Sequence, residues 1–219
     1  MGKLGSFLKS SWFETFNSQS IEAVYKRSEP LNLYGDKLTT VGLVMSGGAR
    51  ELAYSINGEE TWVGEYKEGQ FIGLVSLLSE QEHNFEIHAM SNMSVKFLSQ
   101  DKVLTLMRAD TSFCEAIARD LATKLSISTS DLINIHTLSV KGRVCAELLR
   151  LSFPIGITPG HYIIRPSPVF VALARRLNST RETVSRTVSE LQQKGIVSRE
   201  PGAFVIKDVE KLRETMENI

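Results

Sequence analysis

Two cysteines in 219 residues, Cys114 and Cys145, are too few for a disulfide framework or for a Cys-rich zinc or iron–sulfur site. A reducing compartment suits such a chain, and the cytoplasm is the expected location. No apolar run approaches the roughly 20 residues of a membrane-spanning helix. Met1 to Asn17 lacks the basic stretch, apolar stretch and cleavage site of a secretory leader, so neither a membrane nor export is expected. There is no G-x-S-x-G, no GKS or GKT phosphate loop and no zinc-protease helix, so no catalytic set is legible and none is expected. The chain also lacks net charge, with 25 Lys and Arg facing 25 Asp and Glu.

That neutrality conceals an asymmetry. Residues 138–219 hold 13 Lys and Arg against 8 Asp and Glu, a local charge of +5, which leaves −5 on residues 1–137. An acidic half followed by a basic half points to a sensing part and a part that meets a polyanion. The composition, 42% apolar and 23% charged, is that of a folded globular chain rather than a disordered one.

The first hundred residues read as short strands. Val41 to Met45 ends at Ser46-Gly47-Gly48, and Ala49 to Ile56 runs into Asn57-Gly58, a strong hairpin signal. Thr61 to Tyr66 precedes a turn at Glu68-Gly69. Phe85, Ile87 and Ala89 then alternate with Glu86 and His88, as on a half-buried strand. Close spacing with Gly punctuation predicts a β sandwich or barrel, and spacing alone does not separate the two.

From Lys102 to about Leu138 there is no Gly and no Pro. Ala118, Leu121, Leu125, Ser128, Leu132 and Ile135 are spaced 3, 4, 3, 4 and 3 apart, a coiled-coil seam of about two and a half heptads. A helix packed on its own domain would also carry apolar residues. A long helix between two domains has little core of its own, which favours a dimer seam.

The helical period continues through Leu151 and stops at Phe153-Pro154, and Tyr162 to Ile164 suits a short strand. Ser167-Pro168 reads as a helix start, with Val169, Leu173 and Leu177 on one face. Asn178-Ser179-Thr180 is a polar turn. A second helix is expected from Arg181 to about Lys194, with Val184, Val188 and Leu191 inward and Arg181, Glu182, Ser185, Arg186 and Ser189 outward. Ile196-Val197 and Phe204 to Ile206 flank Glu200-Pro201-Gly202, a hairpin placed as a wing. Two helices, a tight turn and a hairpin make a winged helix-turn-helix.

The chemistry of this stretch suits DNA. Arg can bond guanine bidentately and Glu can accept from the cytosine amino group. Ser179 and Thr180 can bond phosphates at the helix start, and Arg176, paired with Arg175, is a candidate phosphate clamp. Ser179-x-x-Glu182 is also a capping box, which alone would explain both residues.

Arg181-Glu182-Thr183-Val184-Ser185-Arg186 resembles the recognition-helix core of the cyclic-AMP receptor and fumarate-nitrate regulator (CRP/FNR) family of bacterial transcription factors. Gly35-Asp36-Lys37 with Thr40 to Gly47 resembles the first hairpin of its β-roll. Gly69-Gln70-Phe71-Ile72-Gly73 resembles the start of its phosphate-binding cassette, and Lys141 to Cys145 with Leu148-Leu149 the start of its DNA-binding domain. The resemblance implies an α+β chain: a β-roll sensor (1–109), a dimerisation helix (110–137) and a winged helix-turn-helix (138–219). It makes Arg181, Glu182 and Arg186 base readers in a homodimer on double-stranded DNA, with RNA polymerase as a possible further partner.

The sensor half departs from the family's nucleotide-binding pattern. Members that bind cyclic nucleotides carry Glu directly after Phe-Ile-Gly, and Arg-Ser ten and eleven residues later. This chain has Leu74, Asn84 and Phe85. An uncharged Asn cannot replace the charge-assisted phosphate contact of Arg. Ser128 and Thr129 do resemble the purine-touching hydroxyl pair. The expected effector pocket, with Phe71, Gly73, Leu74, Asn84, Phe85, Ser128 and Thr129, is therefore filled or apolar and not gated by cyclic AMP. His83 and His88 beside Glu82 and Glu86 invite a metal or haem reading, which an exposed loop and strand edge explain equally. No metal and no cofactor are expected. Two alternatives stay open: a small-molecule-responsive regulator acting through a protein partner, and a cyclic-nucleotide-gated regulator with a divergent pocket.

Overall fold

The structure, a computed structural model, describes residues 3–32, 38–54, 56, 58, 60–79, 85–155 and 161–217. The chain divides into two compact units, Met1–Ile127 and Ser128–Ile219. The Gly35-Asp36-Lys37 hairpin, Asn57, His83 and Asn84 lie outside the described residues.

The first unit opens with helices α1 (Lys3–Phe7) and α2 (Ser11–Gln19), where short strands were expected. Strands β1 (Ile21–Tyr25), β2 (Pro30–Asn32), β3 (Thr40–Ser46), β4 (Gly48–Tyr54), β5 (Glu60–Lys67) and β6 (Phe71–Ile72) follow. Helix α3 (Leu74–Ser79), strands β7 (Glu86–Ala89) and β8 (Met93–Ser99), and helices α4 (Gln100–Ala109) and α5 (Thr111–Thr137) complete the sequence of elements. Two four-stranded sheets, ordered β1-β8-β3-β6 and β2-β7-β4-β5, bury Val44, Ala49, Ile72, Ile87, Met93 and Val95 between them.

β3 is buried from Val41 to Val44 because both of its faces are covered. Val44 looks into the roll, while Val41 and Leu43 join a second core with the helices. That core explains the amino-terminal helices. Trp12, Phe13 and Phe16 sit on one face of α2, and Trp12 meets Phe7 and Phe113 at 5.0 Å between ring centroids. Edge-on and tilted contacts of this kind add to the burial of large rings. Residues 6–19 contain no Gly or Pro, and Trp12, Phe13 and Phe16 stand at helical spacing.

The stretch without Gly or Pro after Lys102 holds the end of α4 and all of α5. Asp110 interrupts it: its Oδ1 accepts the N–H groups of Ser112 (2.8 Å) and Phe113 (3.3 Å), capping α5. Its Oδ2 accepts the Ser11 hydroxyl at 2.8 Å. Together these bonds, the Ser112 hydroxyl first, lower the Asp110 carboxyl below its ordinary range.

The second unit takes the last turns of α5, then α6 (Val140–Leu151), β9 (Phe153–Pro154), β10 (Tyr162–Ile164), α7 (Phe170–Arg176), α8 (Arg181–Gln193), β11 (Val197–Glu200), β12 (Ala203–Ile206) and α9 (Val209–Glu217). Its sheet runs β11-β12-β10-β9. Val144, Cys145, Leu148, Leu173, Val184, Val188, Leu191, Phe204, Ile206 and Leu212 close one core. Burial pushes the Cys145 thiol up to about 11, so it packs as a small hydrophobe.

Two helix starts differ from expectation. α7 begins at Phe170, since the first bond runs from the Leu173 N–H to the Val169 carbonyl at 3.1 Å. Ser167-Pro168 is its lead-in, and Val169, expected inward, is exposed. At α8 the cap is Thr180 and not a Ser179/Glu182 box. The Thr180 Oγ1 accepts the Thr183 N–H at 3.1 Å, so α8 starts one residue later than that box needs, and Asn178, at φ 47°, makes the turn that precedes it.

Candidate nucleic-acid interface and sensor interior

α8 presents one polar face and buries the other. Val184, Thr187, Val188 and Leu191 enter the core. Arg181, Glu182, Arg186 and Ser189 are exposed, and Ser185 is half-buried. On the following turn Glu190 pairs with Lys141, whose ammonium holds its carboxyl below the ordinary range. β11 and β12 pair antiparallel through the turn at Pro201-Gly202, forming the wing. Thr180 uses its acceptor in the helix cap, and Ser179 is half-buried, its N–H bonded to the Ala174 carbonyl at 2.9 Å.

Arg176 is corrected by its surroundings. Its side chain is only 9% exposed, and its guanidinium lies 2.9 Å from Glu147 of α6 and 3.3 Å from Asp131 of α5. Arg150 holds the same Glu147 carboxylate through two contacts at 2.6 and 2.7 Å. A buried carboxylate needs such partners. Arg176 therefore ties α7 to its own unit, at odds with the expected phosphate clamp, whereas Arg175 is exposed. Glu147 gave no signal in the sequence because an acidic residue in an amphipathic helix reads as a solvated face.

The expected effector residues separate. Phe71 and Leu74 are buried in the aromatic core with Phe16 and Phe113. Gly73, at φ +85°, brings the chain within 2.8 Å of the Thr40 carbonyl, measured to where a Cβ would stand, and a side chain there would clash. Phe85 remains 36% exposed. Ser128 and Thr129 are exposed on α5.

The interior holds instead a polar set that patterning missed. Asp120, fully buried on α5, accepts the Phe71 N–H at 3.3 Å. Lys124, one turn on, lies 3.1 Å from Asp120 and donates to the Phe71 carbonyl. One i,i+4 pair thus satisfies both backbone groups of Phe71, in the stretch that resembles the phosphate-binding cassette. The Lys124 ammonium stands 4.5 Å from the centroid of Tyr66, and the Tyr66 hydroxyl donates to Glu51 at 3.1 Å. Burial raises the Glu51 carboxyl and pushes the Tyr66 phenol well above its ordinary value. Gly64 makes room, since a Cβ there would lie 2.7 Å from the Glu51 carboxylate.

His88 lies 2.8 Å from Glu86, which also accepts the Tyr54 hydroxyl at 2.8 Å. Among the described residues no group of three or more His, Cys, Asp and Glu is placed to hold a metal, and no helix is long and apolar enough to cross a membrane.

A two-sheet roll followed by a winged helix-turn-helix defines a class, the DNA-binding transcription regulators built on a cyclic-nucleotide-binding fold. The comparisons agree with this class. Residues 22–110 match the cyclic nucleotide-binding domain and residues 142–215 the Crp-like helix-turn-helix domain. The chain belongs to the CRP/FNR family of transcription regulators. It is 27% identical over 191 residues to the cyclic AMP receptor protein of Thermus thermophilus, covering 87% of this chain and 86% of that one. It is 23% identical over 189 residues to the cAMP-activated global transcriptional regulator CRP of Salmonella typhimurium, covering 83% and 87%. In fold it resembles a CooA mutant from Carboxydothermus hydrogenoformans (TM-score 0.83, 16% identity, 99% of this chain and 96% of that one). It also resembles the c-di-GMP responsive regulator CLP of Xanthomonas campestris (TM-score 0.75, 22% identity, 89% and 97%).

Proposed function

We propose that this chain is a homodimeric regulator that reads a specific DNA site with α8 and does not require cyclic AMP. The division into a sensor (1–109), a dimerisation helix (110–137) and a DNA-binding part (138–219) belongs to this reading. The observation that carries it is the face of α8, where Arg181, Glu182, Arg186 and Ser189 stand in solvent opposite a buried face of Val184, Thr187, Val188 and Leu191. Arg186 lies one turn beyond Glu182 on that face, the arrangement by which recognition helices reach successive base edges.

Dimerisation is supported by α5. Leu125, Leu132 and Ile135 recur at spacings of 7 and 3 and are 69%, 56% and 55% exposed. Apolar side chains in heptad register are stabilised when a second helix covers them. Two copies of α8 would then enter successive major grooves, about 34 Å apart, on a pseudo-palindromic site. Independence from cyclic AMP is supported by Leu74, which cannot accept from a ribose hydroxyl, and by the Asp120–Lys124 pair, which already satisfies the backbone at Phe71.

A gel-shift series tests the reading. Arg186→Ala should cost about 1–3 kcal/mol on a selected operator and relax preference at one base pair. Binding indistinguishable from the wild type would overturn the assignment of α8. Calorimetric titration with cyclic AMP and cyclic GMP tests the sensor, and micromolar binding of either would overturn the independence claimed for it.

A further inference from the structure

The boundary between the two units falls inside α5, after Ile127. The last turns of that helix, from Ser128 to Thr137, belong to the DNA-binding part. No side chain in that stretch is buried, and none joins the core of the second unit. Apolar packing therefore leaves the angle between α5 and the helix-turn-helix unset. The backbone leaves it open too. α5 passes to α6 through Leu138 and Ser139, and Ser139 is extended, at φ −61° and ψ 165°. A joint of two residues between helix ends lets a few torsions decide where α5 points.

A side-chain bridge spans this joint. Arg176, the last residue of α7, donates from Nη2 to the Asp131 carboxylate of α5 at 3.3 Å. Its Nε lies 2.9 Å from Glu147 of α6, and Arg150 pins that same carboxylate. A guanidinium is planar and rigid, so fixing its Nε edge fixes where Nη2 points. Asp131 has to come to that place. The pair thus holds α5 to the first helix of the helix-turn-helix, and only residues 177–180 separate that helix from α8. The seam at Leu125, Leu132 and Ile135 sets where two copies of α5 meet. The angle between α5 and α8 then sets how far apart, and how rotated, the two reading faces stand. One base pair more or less moves a half-site by about 3.4 Å and turns it by about 35°. A contact that holds this angle selects the spacing between half-sites.

We infer that Asp131 is a positioning residue for DNA recognition, and that by holding α5 to Arg176 it fixes the half-site spacing the dimer accepts. This rests on the homodimeric DNA reading above and adds to it a spacing determinant that touches no nucleotide. An operator of the wrong spacing is met only by opening the pair. The wild type loses the pair's contribution there, and a variant without the pair has nothing to lose. The Asp131 side chain is 45% exposed, so its removal leaves no hole in a core.

The test is fluorescence-anisotropy binding to duplexes that carry the same two half-sites, taken from a random-library selection. Their spacers have the selected length, or one base pair less or more. Thermal melts check folding, and a selection repeated with each variant reads the preference within a half-site. Asp131→Ala should narrow the affinity gap between the best and the off-length duplexes by about two- to fivefold per subunit, the contribution of a half-exposed ion pair. Its melting midpoint should stay within a few degrees of the wild type and its half-site preference should be unchanged. Asp131→Glu, which keeps the charge, should recover part of the gap. Should Asp131→Ala fold poorly, Asp131→Asn keeps the shape, removes the charge and carries the test. An unchanged gap in these variants, with Arg186→Ala still altering sequence preference, would overturn the inference and leave the DNA reading standing. An equal loss at every spacing would make the pair a matter of stability alone and overturn it too. A wild type that binds none of the duplexes, or binds single half-sites as a monomer, would remove the reading beneath it.

Discussion

Arg176→Ala separates a structural arginine from a DNA-binding one. The side chain is 9% exposed and pairs with Glu147, which is 5% exposed, and with Asp131, which is 45% exposed. Removing one member of a buried ion pair costs about 3–5 kcal/mol when the partner is left without a countercharge. Glu147 retains Arg150 at 2.6 and 2.7 Å, so its carboxylate is not abandoned. Half-exposed Asp131 returns to water and adds at most about 1 kcal/mol. The expected loss is therefore about 2–3 kcal/mol. In a unit of this size 1 kcal/mol moves the midpoint by about 4–8 °C, so the transition of the second unit should fall by roughly 8–24 °C in scanning calorimetry. Arg175→Ala, the same charge change one residue earlier on an exposed side chain, should stay within about 0.5 kcal/mol of the wild type. Below its melting range Arg176→Ala should keep the wild-type salt dependence of DNA binding. A variant that melts like the wild type and shows a flattened salt dependence would refute the reasoning and restore Arg176 as a phosphate contact.

Three further outcomes are expected. Burial raises the Glu51 carboxyl in the fold, so the folded chain holds that proton more tightly than the unfolded chain. Stability is then lost as pH rises from the ordinary value of 4.5 through the raised one. Glu51→Gln cannot ionise and should gain on the wild type over that window, while parallel melting curves from acid to neutral pH would show the carboxyl to be unperturbed. Leu125→Asp combined with Leu132→Asp, both at exposed positions, should leave the fold intact and yield monomers in light scattering, whereas a persistent dimer would place the interface elsewhere. Thr180→Ala should cost about 1 kcal/mol through the lost cap of α8, and an unchanged midpoint would mean that the Thr183 N–H finds another acceptor.

The DNA-binding half was the more legible part of the sequence. Its helices are amphipathic with one buried stripe each, so spacing alone put Val184, Val188 and Leu191 inside and Arg181, Glu182 and Arg186 outside. The hairpin at Pro201-Gly202 and the turn at Asn178 follow from local backbone chemistry, which a short window contains. The sensor half was less legible. β3 is covered on both faces and shows no alternation, and α2 earns its place through rings supplied by Phe71 and Phe113, far away in the chain.

The sequence by itself determined the order of elements from the long helix to the wing, the polarity of charge between the halves and the outward face of α8, because each depends on residues close together along the chain. Only the tertiary structure decided the fate of individual charges. Arg175 and Arg176 are identical neighbours, yet Arg175 is exposed and Arg176 is nearly buried between two carboxylates from other helices. Asp120 and Lys124 spell an ordinary surface pair, yet they hold the backbone of Phe71 inside the first unit. Whether a charge meets water, a ligand or another side chain depends on what folds against it, and that information is distributed over the whole chain.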